Sequence, residues 1–199
     1  FDEVSIGWKL TFGGAHLLYN VTPDIAVFSK AMSNGFPMAS IIGKRKVMQA
    51  AQGTFISSTY WTDRTGPAAA LATLKKMKKL NVPKRIAKAA AQMRAGWASA
   101  AKKHGLNIKI GGTVPYNLFS FLYDDAQALK TLFTQEMLER GFLTGTEFNP
   151  SCAHTSAHIK RYAKALDGVF AEIRKALDTN SVRKRLKGPI AHSHFARLN

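Results

Sequence analysis

Three groups of side chains in the first third of the chain could perform chemistry together. Asp2 places a carboxylate in an apolar, strand-like segment, and Lys30 places an amine where the apolar run 25–28 ends in a turn. The hydroxyl-rich segment 57–62 directly precedes a predicted helix. An amine can form a Schiff base with a carbonyl group, and a carboxylate can keep a heterocyclic nitrogen protonated. Hydroxyl and backbone N–H groups at a helix N-terminus can bind phosphate.

Pyridoxal-phosphate chemistry requires these three capacities in one site. The lysine holds the cofactor and moves a proton between two carbons, while the carboxylate makes the ring an electron sink. Each signal is weak by itself, because a lysine after an apolar run usually lies at the protein surface. We interpret Ser57, Ser58 and Thr59 as loop framework rather than as phosphate ligands.

The longer pattern around these residues resembles the class III aminotransferases, above all the branch of the glutamate-1-semialdehyde aminomutases. The resemblance covers essentially the whole chain, and the spacing of Asp2 and Lys30 fits the pattern of the family. It is carried by Asp2-Glu3-Val4, Gly13-Gly14-Ala15 and the segments 19–24, 29–38, 62–74, 136–155 and 188–193.

The resemblance implies a role for four residues. Lys30 is expected to hold pyridoxal 5'-phosphate as a Schiff base, and Asp2 is expected to pair with the ring nitrogen. Val4 is expected to pack on the ring face opposite the substrate, although it could equally be an ordinary β-branched residue in a buried strand. Thr62 is expected to reach across a dimer interface to the phosphate of the neighbouring subunit. Trp8 and Lys9 stand where relatives often carry Arg, which puts an Arg-dependent ion pair there in doubt.

The implied fold is the pyridoxal-phosphate-dependent transferase fold type I, and the alternation of strands and helices independently indicates an α/β architecture. Residues 1–82 are expected to form the C-terminal portion of the large cofactor-binding domain. Residues 83–199 are expected to form an interdomain helix and a small C-terminal α+β domain. Relatives also carry a long N-terminal half with the phosphate cup and the aromatic residue stacked on the ring. We therefore expect a fragment of a longer polypeptide, or a missing half supplied by another chain.

Hydrophobic periodicity and turn residues predict the individual elements. The expected strands are 25–28, 38–42, 108–110, 116–123, 142–144 and 151–153. The expected helices are 45–52, 68–80, 83–103, 125–140 and 156–177, with a loop over 53–65 and a short basic helix in the tail.

The charge of the chain is strongly positive, since 29 Lys and Arg against 12 Asp and Glu give +17. The basic runs alternate with apolar residues at helical spacing, as in 71–80, so we interpret them as solvated helix faces. A polyanion-binding surface is the alternative. We do not expect nucleic-acid binding, because no zinc-finger, aromatic–basic or helix-turn-helix motif accompanies the charge.

Cysteine and histidine usage excludes further classes. The single cysteine, Cys152, rules out an internal disulfide and favours a cytoplasmic protein. His154 and His158 lack the further ligands that a metal centre needs, so no metal is expected. No apolar run approaches the roughly 20 residues that span a bilayer, so no membrane association is expected.

The expected function is that of a cytoplasmic, homodimeric aminotransferase, which moves an amino group between a small-molecule amino donor and a carbonyl acceptor. A glutamate-1-semialdehyde-type 2,1-aminomutase uses the same residues and is the alternative enzyme. The segment 188–193 resembles family members of amino-sugar and surface-sugar pathways, which favours transamination. An alternative of another class is a non-catalytic basic remnant with a structural or polyanion-binding role. Asp2, Lys30 and Thr62 together argue against this remnant.

Overall fold

The computed structural model describes residues 1–193 of the chain and divides into two compact units. The first unit is Phe1–Ile86, and the second begins at Ala87. Each unit has its own cluster of buried apolar side chains. The assignment of residues 1–82 to a large domain and of 83–199 to a small one stays a prediction.

The first unit contains a two-stranded antiparallel sheet and three helices. The strands are β1 (Ile25–Phe28) and β2 (Ser40–Gly43), in register from Ile25 opposite Gly43 to Phe28 opposite Ser40. The chain reverses between the strands through Asn34 and Gly35, which both have positive φ angles. The helices are α1 (Arg45–Met48), α2 (Thr65–Leu80) and the first residues of α3 (Val82–Lys103).

A small apolar cluster holds β1 against α2. Its buried members are Ala26, Phe28, Met32 and Ala70, with Trp8, Met38 and Leu74 packed against them. At Gly66, in the first turn of α2, a Cβ atom would lie 2.9 Å from the carbonyl oxygen of Pro37. The glycine therefore lets α2 approach the chain that follows Lys30.

The second unit packs helices on a three-stranded antiparallel sheet. The strands are β3 (Ile108–Thr113), β4 (Tyr116–Phe121) and β5 (Glu147–Phe148), in the order β3-β4-β5. The helices are the remainder of α3, α4 (Ala126–Glu139) and α5 (Ser156–Asp178). In the described part of the chain, no helix has both the length and the hydrophobicity to cross a membrane.

Aromatic rings fill the centre of the second unit. Phe119 projects from β4 and contacts Phe133 of α4 edge-to-face, with ring centroids 5.2 Å apart, and Phe170 of α5 at 5.8 Å. Beside them, the buried Trp97 donates a hydrogen bond from Nε1 to the hydroxyl oxygen of Tyr162 at 3.1 Å. Burial raises the pKa of Tyr162 to about 12, against the opposing effect of the Trp97 hydrogen bond. The hydroxyl group therefore stays protonated and neutral at physiological pH.

Most predicted elements are confirmed to within a few residues, but two predicted strands are wrong. Residues 142–144 form no strand, because Phe142 N donates to Met137 O at 2.9 Å and so ties this segment to the end of α4. Leu143 is 94% exposed there. Residues 151–153 form a turn instead, closed by the bond from His154 N to Ser151 O at 3.1 Å. The third strand of this sheet is β5, between the two predicted ones.

Candidate functional site

The segment that carries Asp2 and Val4 lies beside β1 in parallel orientation. Asp2 forms an isolated bridge with Val27, flanked by the bonds from Glu3 N to Val27 O at 2.9 Å and from Val27 N to Phe1 O at 3.0 Å. Asp2 Oδ1 accepts a hydrogen bond from Val4 N at 2.9 Å. The Asp2 side chain is exposed and Val4 is half-buried. The backbone on both sides of Asp2 is thus fixed to β1, and the carboxylate is oriented by Val4.

Lys30 begins a short 3-10 helix, Lys30–Met32, directly after β1 and Ser29. Its φ angle is 47°, in the left-handed region that a residue with a side chain enters at a cost of about 1–2 kcal/mol. Its Nζ donates a hydrogen bond to Ser5 Oγ. Ser29 holds the other side of this turn, because its Oγ donates to Met38 O at 2.6 Å. The structure thus brings the Lys30 amine to the segment that carries Asp2 and Val4, in a strained backbone position.

A buried carboxylate, that of Glu3, directly follows Asp2 in the chain. Glu3 is 3% exposed, and its Oε2 accepts from Ala15 N at 2.9 Å. Its Oε1 accepts from His16 N at 3.0 Å and lies 2.9 Å from His16 Nδ1. Burial alone would raise the pKa of Glu3, but the hydrogen bonds from Ala15 and His16 outweigh it and hold the pKa below its usual value. Glu3 is therefore ionised, and both of its carboxylate oxygens accept hydrogen bonds.

Thr62 is exposed in the turn that precedes α2. Asp63, next to it, accepts a hydrogen bond from Thr65 N at 2.8 Å and so binds the first turn of the helix. Within residues 1–193, no hydrogen bond joins Thr62 to Asp2, Val4 or Lys30. The α2 helix nevertheless contacts the Lys30–Met32 turn.

The segment with Ser57, Ser58 and Thr59, predicted to be a loop, contains a local hydrogen bond. Ser58 Oγ accepts a hydrogen bond from Tyr60 N at 3.2 Å, a contact within the loop itself. Ser57 and Thr59 are exposed in the same segment, which contains neither helix nor strand.

A family model described as aminotransferase class-III matches residues 1–176. The chain belongs to the class III aminotransferase family. The assignment covers both units, since the match extends from the segment that bears Asp2 to the last turn of α5.

Similar curated proteins carry out more than one reaction. The 3-aminobutyryl-CoA aminotransferase of Cloacimonas acidaminovorans is 28% identical over 183 residues, which cover 89% of this chain and 44% of that protein. The glutamate-1-semialdehyde 2,1-aminomutase of Desulfosudis oleivorans is 30% identical over 190 residues, which cover 87% and 44%. The class III chain described here thus spans about 44% of the length of these relatives.

Solved structures show the same fold. The pyridoxal-phosphate internal aldimine form of the Sphingopyxis sp. MTA144 FumI protein superposes with a TM-score of 0.82 at 23% identity. The match covers 89% of this chain and 44% of that one. The predicted fold is confirmed: the chain has part of the α/β pyridoxal-phosphate-dependent transferase fold type I.

The side chains present fit the cofactor of this family, pyridoxal phosphate, in the chemistry of their donors. Lys30 supplies an amine for an aldehyde, and Asp2 supplies a carboxylate for a ring nitrogen. Val4 supplies an apolar surface, and Thr62 a hydroxyl for a phosphate. The structure brings the first three to one segment beside β1, and it leaves Thr62 at the start of α2.

The second unit contains a separate cavity of about 270 Å³. Apolar side chains, including Phe142 and Phe148, line it together with Glu147, His154 and His158. His154 packs edge-to-face on Phe148 with ring centroids 4.9 Å apart. The interpretation of these histidines as residues that bind no metal stays a prediction.

Two residues of the first unit lay outside the predicted site. Glu3 was recognised only as part of the Asp2-Glu3-Val4 motif, and His16 was not singled out at all. The signal that could have found them is an acidic residue in an apolar strand, which needs hydrogen-bond donors if it is buried.

Proposed function

We propose that the complete protein is a pyridoxal-phosphate-dependent aminotransferase and that this chain contributes the lysine and the carboxylate of its cofactor site. The observation that carries the proposal is the placement of Lys30. Its left-handed backbone and its Nζ contact with Ser5 direct the amine toward the segment that bears Asp2. Strained non-glycine residues of this kind cluster at functional sites.

Each residue has a defined task in this proposal. Lys30 Nζ would hold the cofactor through its aldehyde carbon and, once released, would accept the proton from the substrate carbon that bears the amino group and deliver it to the cofactor's aldehyde carbon. Asp2 keeps the ring nitrogen protonated, and Val4 packs on one ring face. Thr62 binds the phosphate of the neighbouring subunit. When bound, pyridoxal phosphate supplies the electron sink that makes removal of that proton possible.

The amino donor and the carbonyl acceptor are small molecules in this proposal, and the protein is a cytoplasmic homodimer. The similar proteins include an acyl-CoA aminotransferase and a semialdehyde aminomutase, so family membership leaves the substrate open. The 30% identity to the aminomutase favours a 2,1-amino shift as the second candidate reaction. A transaminase needs a second carbonyl substrate for each turnover, whereas an aminomutase isomerises one molecule without it. Screening amino donors with and without a carbonyl acceptor separates the two.

The decisive experiment is an absorbance spectrum of the full-length protein mixed with pyridoxal phosphate. The wild-type protein should show a cofactor band near the visible edge, and Lys30→Ala should lose it. Turnover should fall by at least about 10²-fold, as for loss of a general acid–base group. Lys44→Ala is the matched control, because Lys44 is an exposed lysine of the same unit whose Nζ binds Asp24 at 2.8 Å. An unchanged band and unchanged turnover in Lys30→Ala would refute the enzyme proposal. Salt-dependent binding of nucleic acid without a cofactor band would favour the basic remnant.

The same variant tests the shared site. A mixed dimer of Lys30→Ala and Thr62→Ala subunits contains one fully wild-type site if Thr62 acts across the interface. It contains only singly defective sites if Thr62 acts within its own subunit. Recovery of activity on mixing two inactive homodimers would therefore support a homodimer with a shared site, and no recovery would contradict the proposed role of Thr62 across the interface.

A further inference from the structure

The buried carboxylate of Glu3, which lies 2.9 Å from His16 Nδ1, belongs to the residue that directly follows Asp2, the residue proposed to pair with the cofactor's ring nitrogen. We infer that Glu3 and His16 are positioning residues, which fix the Asp2 carboxylate in the orientation that the ring nitrogen requires. The inference rests on the proposed function, because it assigns these two residues a role in the same cofactor site. They act through Asp2 and through the backbone of the strand.

Strand geometry links the two neighbouring acidic residues. Where the backbone is extended, as at the isolated bridge of Asp2 with Val27, successive side chains point to opposite sides. Glu3 is buried while Asp2 is exposed, and the backbone between them is bonded to Val27. A backbone rotation that carries Glu3 out of its site would therefore also turn Asp2 away from its own direction. Anchoring the Glu3 carboxylate therefore restricts the backbone from which the Asp2 side chain projects.

The Glu3 carboxylate is held by donors from one short stretch of chain. Ala15 N, His16 N and His16 Nδ1 all lie within 3.0 Å of its two oxygens. The two backbone donors belong to the first turn of the 3-10 helix Ala15–Tyr19. Hydrogen bonds to a charged group are roughly twice as strong as those between neutral groups. Glu3 thus ties the strand to this turn at a single well-defined point.

The space around the pair admits only glycine at two positions. A Cβ atom on Gly14 would lie 2.9 Å from Glu3 Oε1 and 2.2 Å from the His16 ring. A Cβ atom on Gly7 would lie 2.7 Å from Glu3 O and 2.7 Å from the Phe28 ring. The carboxylate, the imidazole and the strand backbone are therefore confined by sterics as well as by hydrogen bonds. This confinement is what a residue that must orient its neighbour requires.

The test compares the affinity of the full-length protein for two cofactors. One is pyridoxal phosphate, and the other is its analogue with carbon in place of the ring nitrogen, which gives Asp2 nothing to pair with. His16→Leu removes the side-chain donor to Glu3 and should weaken binding of pyridoxal phosphate by about tenfold, the loss expected for one charged hydrogen bond. Binding of the analogue should change by less than about twofold. His16→Gln should restore the affinity for pyridoxal phosphate, because its amide N–H can donate to Glu3.

The matched control is His104→Leu in the second unit. His104 also lies 2.8 Å from a carboxylate, that of Asp167, and the two histidine side chains have exposures of 16% and 14%. This control should leave the affinity for both cofactors unchanged. Glu3→Gln provides a second variant if His16→Leu does not fold, and it should also weaken pyridoxal phosphate selectively.

The outcomes separate this inference from the proposed function. Equal weakening of both cofactors by His16→Leu and Glu3→Gln would show a merely structural role and overturn the inference, while the Lys30 experiment would still stand. If the wild-type protein binds neither cofactor, the proposed function fails first. A selective loss that persists in an Asp2→Asn background would also overturn the inference, because the effect would then bypass Asp2.

Discussion

The two units of the chain differ in how much of their own apolar surface they bury. Among the described residues, the core cluster of the second unit contains 21 buried residues, and that of the first contains four. The first unit leaves large apolar side chains exposed, including Tyr19, Ile41 and Phe55, the last at 96%. The unit that carries Lys30 and Asp2 is thus the one with the weaker core.

This difference follows from what each unit must do. Contiguous exposed apolar surface is typical of regions that contact other protein. The second unit is built around aromatic rings in edge-to-face contact. The residues proposed for the cofactor site and the larger buried core therefore lie in different units.

The sharpest test of the difference is a pair of equivalent truncations. Phe170 is fully buried in the ring cluster of the second unit, and Phe170→Ala leaves a cavity there. The free energy of unfolding should fall by an amount near the upper end of about 3–5 kcal/mol. Phe28→Ala in the first unit should cost toward the lower end, because the small cluster around it can collapse. Hydrogen exchange of amides in α5 and in β1 measures the two units separately. Equal losses, or a greater loss for Phe28→Ala, would remove the distinction between the cores.

The sequence correctly predicts those elements of the molecule that depend on local pattern. The strand before Lys30 is an apolar run that breaks into a turn, and α2 is an amphipathic helix with Pro67 in its first turn. Residues 142–144 were mistaken for a strand because an apolar pair after Gly141 looks extended. Their conformation is set by a bond to the end of α4, which hydrophobic pattern does not encode.

The same limit applies to the candidate site. The types and spacing of Asp2 and Lys30 predict a cofactor site, and the family match supports the resemblance on which their roles rest. The pairing of Glu3 with His16 spans 13 residues and depends on how an irregular segment folds back. Periodicity has no way to register such a contact. The strained φ angle of Lys30 is equally invisible in the sequence.

A pair of glycine-to-alanine substitutions should have opposite effects on stability, with a loss in the first unit and a gain in the second. Gly7→Ala places a Cβ atom against Glu3 O and Phe28 in the first unit, and should destabilise by about 1–3 kcal/mol through overpacking. Gly96→Ala lies inside α3 in the second unit, where the new Cβ atom would meet only Ala163 Cβ at an ordinary 4.0 Å. It should stabilise by about 0.5–1 kcal/mol, since alanine favours the helix. Thermal unfolding of both variants checks the signs. A harmless Gly7→Ala would mean that the segment around Glu3 is not confined.

The smallest expected effect is the pH-dependent contribution of the Asp167–His104 pair to stability, which is compared with the contribution of the Glu3–His16 pair. Asp167 lies partly exposed between Lys103 and His104, with both Nζ and Nε2 at 2.8 Å. The hydrogen bonds from Lys103 and then His104 hold the pKa of Asp167 below its ordinary value. Its contribution to stability is therefore present above the unfolded-state pKa of about 3.9 and is lost as pH falls through the lower folded-state pKa.

Asp167→Asn should accordingly cost no more than about 1 kcal/mol near neutral pH, as an exposed ion pair does. The difference from the wild-type protein should shrink as pH falls below about 4. Urea unfolding of both proteins between about pH 7 and pH 3 measures it. Glu3→Gln should cost more at neutral pH, because the Glu3 carboxylate is buried and its donors would lose a charged acceptor. A larger loss for Asp167→Asn than for Glu3→Gln would show that burial does not strengthen the Glu3–His16 pair. The tight anchoring inferred for Glu3 would then lose its physical basis.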